Sequence, residues 1–210
     1  TNYISVCIIA LFVTFVMITG GIDIQASALI GLTSICIGVL WSDVGLNIWT
    51  AVLLAMLLST LCGALSGYFI AYCGVQPMVV TLGGSLLYSG LALLISGLSK
   101  TPAYQGISGF PAKAANGSFQ GFRFLGKGML FGTIPVPVAI YAVLILLCFV
   151  LLHRTKYGRK VFLIGVNPEA AEYSGINSRL IVMSTYILTS IGASIAGVLL
   201  TANIDSAKYD

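Results

Sequence analysis

Charge is what this chain has least of. Only 8% of its 210 residues are charged, against about 25% in a soluble domain. No full charge lies between Thr1 and Ile22, and only Asp23 and Asp43 precede Lys100. With 58% hydrophobic residues and a mean hydropathy of +1.03, a water-soluble fold could not hide the apolar surface, so the solvent is lipid. The net charge of +4 is small and confined to loops, which speaks of membrane topology and gives no footing for nucleic acid. CxxC pairs are missing too: Cys7, Cys36, Cys62, Cys73 and Cys148 read as small buried hydrophobes, neither a metal nor a disulfide framework. There is one histidine, His153, with no evident nucleophile beside it, and no catalytic constellation. No Gly-x-x-x-x-Gly-Lys-Ser/Thr occurs, so any ATP used must be hydrolysed by another chain. The chain is not an enzyme by itself. The opening Thr1-Asn2-Tyr3 has no charged stretch ahead of its apolar run, so that run is expected to be a span and not a signal peptide.

What is present is a series of apolar runs. Six spans are expected, at Tyr3–Thr19, Gln25–Trp41, Ile48–Tyr72, Met78–Ser96, Ile134–Leu152 and Leu180–Thr201, each near the ~20 residues a bilayer core requires. The runs are continuously apolar and do not alternate at every second residue, which predicts helices and not barrel strands. Connections at Gly20–Ile24, Ser42–Asn47 and Cys73–Pro77 are tight. The long segment Lys100–Thr133 ends at Ile134-Pro135-Val136-Pro137, where proline suits a helix start. The fold class predicted is therefore all-α, a polytopic membrane helix bundle.

The cations orient it. Arg154, Lys156, Arg159, Lys160 and Arg179 crowd the segment between the fifth and sixth spans, so residues 153–179 are expected in the cytoplasm. Lys100, Lys113, Arg123 and Lys127 are more dilute, and residues 98–133 are expected outside. Small residues Ser59, Gly63 and Gly67, repeated by Ala193 and Gly197, fall on single helix faces where backbones can approach closely in lipid.

Two helix breaks have two readings each. At Gly20-Gly21-Ile22-Asp23, the glycines end one helix and Asp23 either only caps the next or marks a broken helix beside a translocation path. At Gly74-Val75-Gln76-Pro77, Pro77 opens a helix, while Gln76 and Thr81 either decorate that start or line a polar route. Gln25 follows the first break and joins these candidates. Spans without charge but with scattered Ser, Thr, Asn and Gln suit a neutral hydroxylated solute better than an ion.

The motifs Gly20-Gly21-Ile22-Asp23, Val75-Gln76-Pro77-Met78-Val79-Val80-Thr81-Leu82-Gly83 and Tyr157-Gly158-Arg159…Asn167-Pro168-Glu169-Ala170-Ala171…Ser174-Gly175-Ile176 resemble the permease subunits of ribose-type ABC sugar importers. That family takes up ribose, xylose, arabinose, galactofuranose and the autoinducer-2 sugar signal. The resemblance implies a vitamin B12 permease-like fold of roughly ten spans, with these residues an internal fragment lacking one span before Thr1 and about three after Asp210. It implies a monosaccharide permease of the bacterial inner or plasma membrane. Its partners would be an ABC ATPase, an extracytoplasmic sugar-binding protein and a second permease copy or paralogue. No cofactor is implied in this chain, with ATP and magnesium held by the ATPase. The Glu-Ala-Ala-x-x-x-Gly spacing is similar to the loop that grips that ATPase, which makes Asn167, Pro168, Glu169, Ala170, Ala171 and Gly175 coupling candidates. Ala170 and Ala171 are expected to let the partner approach closely. The chain departs from the family after Asp23, where Ile24-Gln25-Ala26-Ser27 replaces the usual Leu-Ser-Val-Gly. Two rivals remain: a branched-chain amino-acid ABC permease, and a membrane scaffold subunit that transports nothing.

Overall fold

The computed structural model describes residues 3–99, 102–103, 106–107, 117–130, 132 and 134–208. Lys100 and Lys113, and with them much of the expected external loop, lie outside the described residues. Nine helices are described: α1 Ile4–Ile18, α2 Ala26–Ser42, α3 Ile48–Ala71, α4 Pro77–Gly97, α5 Gly117–Lys127, α6 Val136–His153, α7 Lys156–Val166, α8 Pro168–Tyr173 and α9 Ser178–Ile204. Two-residue strands add small antiparallel pairings: β1 Pro102–Ala103, β2 Gly106–Ile107 and β5 Ala207–Lys208 in one sheet, β3 Met129–Leu130 with β4 Ile134–Pro135 in another.

All the expected spans are helical. Four of them, α3, α4, α6 and α9, are long and apolar enough to cross a membrane; α1 and α2, at 15 and 17 residues, are shorter apolar helices. At 1.5 Å per residue such lengths reach ~22–26 Å, a little under the bilayer core. The helix missing from the expectation is α5, inside the long connection expected outside the membrane. It forms because Phe119 and Phe122, one turn apart, bury against the bundle, Phe119 stacking on Trp41 at 4.9 Å. Tertiary contact overrides glycine's poor helix propensity.

The bundle is built with its apolar side chains outward as well as inward. On α3, Leu53, Leu57, Leu61 and Leu65 follow one another at every fourth position and are exposed, the surface a lipid solvent accepts. The opposite face carries Ala51, Ala55, Ser59, Gly63 and Gly67, all buried. There a Cβ on Gly63 would lie 1.7 Å from Ser190 Oγ, and one on Gly67 would lie 2.9 Å from the Met183 carbonyl oxygen. The small-residue face therefore seats α9 within this subunit. Ser59 adds a hydrogen bond with Thr33 of α2 at 2.5 Å. Helix α2 is central, with Leu29, Leu32, Ile35 and Ile37 in the main core beside Ala193 and Ala202 of α9.

Candidate functional site

The charged segment between α6 and α9 is a compact, capped structure. Thr155 accepts from the Gly158 amide at 3.3 Å to open α7. Asn167 then closes α7 and opens α8, its side chain accepting from the Ala170 amide at 3.1 Å, with Pro168 in the first turn and Glu169 favourable to the helix N-terminus. Gly175 ends α8 at φ 77°, a left-handed conformation that glycine adopts freely, and the Ile176 amide donates to the Ala171 carbonyl at 3.1 Å. Asn177 caps α9 through the Leu180 amide.

The sequence reading of this segment needs one correction. Ala171 is 2% exposed and packs with Val161, Ile164 and Ile181, so it holds α7, α8 and α9 together instead of facing a partner. Ala170 is exposed, as are Asn167, Pro168, Glu169, Glu172 and Gly175, and Tyr173 stands out at 93%. The outward face of α8 is thus short, acidic and tipped by an aromatic ring. Arg154, Lys156, Arg159, Lys160 and Arg179 are exposed around it. His153 ends α6 with its ring stacked on Phe149 at 4.7 Å.

The two helix breaks lie together, on the same end of the bundle as this segment. Gly20, at φ 78°, turns the chain out of α1. Asp23 Oδ1 accepts from the Gln25 amide at 3.1 Å, and α2 starts at Ala26. Burial raises the Asp23 carboxyl above its ordinary range, while the Gln25 and Ala26 amides pull it down. Gln25 is wholly buried; its Oε1 accepts from Ser66 Oγ at 2.7 Å, and that hydroxyl lies 3.3 Å from Tyr88 Oη. Tyr88 donates onward to the Cys62 carbonyl at 3.1 Å. Thr81, also wholly buried, donates to the Ile22 carbonyl at 3.3 Å and so ties α4 to the first break. Gly21 is covered by Tyr186 of α9, whose hydroxyl is 2.5 Å from where a Gly21 Cβ would lie.

Of the pathway candidates, the fold gathers Gly21, Asp23, Gln25 and Thr81 into one polar cluster, Gln25 and Thr81 wholly buried and Gly21 and Asp23 half-buried. Gly20 shapes its rim, Pro77 occupies the first turn of α4, and Gln76 is exposed beside it without a side-chain cap bond. Sequence reasoning missed Ser66, Tyr88 and Tyr186. Ser66 carried a signal: it stands one helical step from Gly67 on the small-residue face. A single tyrosine in an apolar run carries none. Three buried atoms of the cluster, Asp23 Oδ2, Gln25 Nε2 and Tyr186 Oη, have no hydrogen-bond partner among the described residues. Chemically the cluster offers amide and hydroxyl donors beside a carboxylate acceptor. Among the described residues no group of His, Cys, Asp and Glu is placed to hold a metal.

Comparison with known proteins gives a match along the whole chain. Residues 1–210 match the family described as "Branched-chain amino acid transport system / permease component". The "Autoinducer 2 import system permease protein LsrD" of Yersinia enterocolitica is 40% identical over 210 residues, covering 100% of this chain and 60% of that protein. The proteins of the same name from Klebsiella pneumoniae and Salmonella typhimurium are each 38% identical over the same 100% and 60%. The chain therefore spans 60% of the length of these curated relatives. No solved structure matches it.

Proposed function

The chain belongs to this family of permease components, and from that premise we propose that it is the transmembrane subunit of an ATP-driven importer for a monosaccharide or a related small sugar signal. The observation that carries the solute class is the identity of 38–40% along the entire chain with proteins named for autoinducer 2 import. The physical character of the buried cluster agrees with it. Gln25, Ser66, Thr81, Tyr88 and Tyr186 are neutral hydrogen-bonding groups, the kind that pass a hydroxylated solute, and Asp23 is the one ionisable carboxylate among them.

In this reading, α8 docks on a separate ABC ATPase that holds ATP and magnesium, through Asn167, Pro168, Glu169, Ala170 and the Gly175 turn. An extracytoplasmic binding protein delivers solute to the opposite end, and a second permease copy or paralogue completes the pathway. ATP-driven closure of the ATPase pulls α8, and the bundle rocks between outward and inward access.

The test is uptake by membranes holding the full-length permease, its ATPase and its binding protein. Labelled autoinducer 2 and ribose are compared with labelled leucine. ATP-dependent uptake of either sugar and none of leucine is the expected result. Leucine uptake alone would instead support the branched-chain amino-acid reading that the family's description favours. Absence of any ATPase on co-purification would leave a scaffold.

A further inference from the structure

The turn between α1 and α2 is gripped from both sides by the segments that flank α8. From one side comes α7: a Cβ on Gly165 would lie 2.0 Å from the Ile18 carbonyl oxygen, so α7 rests directly on the end of α1. From the other comes α9, whose wholly buried Tyr186 lays its hydroxyl on Gly21. Helices α7, α8 and α9 share one apolar cluster of Val161, Ile164, Ala171 and Ile181, and close-packed clusters transmit displacement. A pull on α8 is therefore delivered to this turn.

Two buried polar atoms near that contact have no hydrogen-bond partner among the described residues. Tyr186 Oη carries a donor and Asp23 Oδ2 is an acceptor, and both atoms are buried beside the turn that Tyr186 covers at Gly21. A buried donor and acceptor left apart are costly, and their mutual hydrogen bond removes both costs at once. Hydrogen-bonded and separated states of such a pair are discrete, which is the property of a two-state element.

We propose that Tyr186 is a positioning residue of the transport cycle, whose hydroxyl donates to Asp23 Oδ2 when α9 is shifted and so latches α9 to the α1–α2 turn. The proposal rests on the reading of α8 as the element an ATPase moves. It assigns Tyr186 a role that its place in an apolar span would not suggest, and it gives Asp23 a task beyond bonding the Gln25 amide.

The test uses the full-length permease with Tyr186→Phe, Asp23→Ala and the double variant. One readout is uptake of labelled autoinducer 2 by the complete complex. The other is the maleimide labelling rate of Ile22→Cys, an exposed position in the turn, in membranes holding the permease with its ATPase and a non-hydrolysable ATP analogue, the condition that shifts α9, and with the native cysteines replaced. Each single variant is expected to lower maximal uptake by about tenfold and to raise labelling by about tenfold, the scale of one charge-assisted hydrogen bond. The double variant is expected to go no further than the stronger single one. Losses that multiply in the double variant overturn the latch, as does wild-type labelling in Tyr186→Phe. Labelling needs no solute, so the latch is decided even if the complex takes up neither sugar; that outcome sinks the sugar reading alone.

Discussion

Gly63 and Gly83 look alike in the sequence, each a glycine inside an apolar run, and the fold treats them oppositely. A Cβ at Gly63 would meet Ser190 Cβ at 2.5 Å and the Tyr186 carbonyl at 3.0 Å, atoms that no side-chain rotation moves aside. A Cβ at Gly83 meets nothing within 4 Å. Gly63→Ala should therefore destabilise the purified permease by ~1–3 kcal/mol, the usual cost of overpacking, read as a lower melting temperature in detergent. Gly83→Ala should be neutral or stabilising by up to ~1 kcal/mol, since alanine is the better helix former. A drop at Gly83 as large as that at Gly63 would contradict the assignment of α4's open face. At this scale the sequence was readable where a period existed. Ser59, Gly63 and Gly67 announce a contact face because four-residue spacing maps onto one side of a helix. Tyr186 could not be read, because its importance comes from Gly21 and Asp23, some 160 residues earlier in the chain.

Among the elements, α8 depends most on one side chain. Asn167 terminates α7 and caps α8, and a helix of 6 residues has little internal cooperativity to survive losing that bond. Asn167→Ala removes the acceptor for the Ala170 amide, at a cost of ~1 kcal/mol to the segment, and Asn167→Asp restores it. If α8 is the ATPase-docking element, Asn167→Ala should lower ATPase co-purification severalfold at normal membrane abundance, and Asn167→Asp should recover most of it. Equal capture by all three proteins would mean that α8 is not the docking element. Buried Ala171 is a poor site for this test, since a bulky replacement there would disrupt the α7–α9 cluster itself. The apolar helices were legible as elements because lipid demands long uncharged runs, and α8 because Asn-Pro-Glu is a helix start in any solvent. Helix α5 was not legible. Its residues are Gly-rich, and only docking of Phe119 and Phe122 makes it helical.

By sequence the molecule carries five cations on each side, Arg154, Lys156, Arg159, Lys160 and Arg179 on one and Lys100, Lys113, Arg123, Lys127 and Lys208 on the other, so their nearness to span ends orients it and their number does not. At the α5 end, Arg123 pairs with Asp205 at 3.2 Å and Lys127 binds the same carboxylate, so that acidic side chain offsets part of the positive charge there. At the α8 end, Arg154, Lys156, Arg159, Lys160 and Arg179 are all exposed. Cations close to span ends are retained in the cytoplasm, and Arg154 and Arg179 directly adjoin the ends of α6 and α9. The expected orientation thus has α8 inside and α5 outside. Ser178, at the start of α9, is buried and a poor place to probe this, whereas Tyr173 at the tip of α8 and Gln120 on α5 are exposed. In a background lacking native cysteines, including exposed Cys73, a membrane-impermeant maleimide applied to intact cells should label Gln120→Cys and spare Tyr173→Cys until the cells are opened. Labelling of Tyr173→Cys in intact cells, with Gln120→Cys spared, would invert the bundle. It would put the acidic α8 tip outside, beyond reach of any cytoplasmic ATPase, and the transport cycle proposed here would lose its motor.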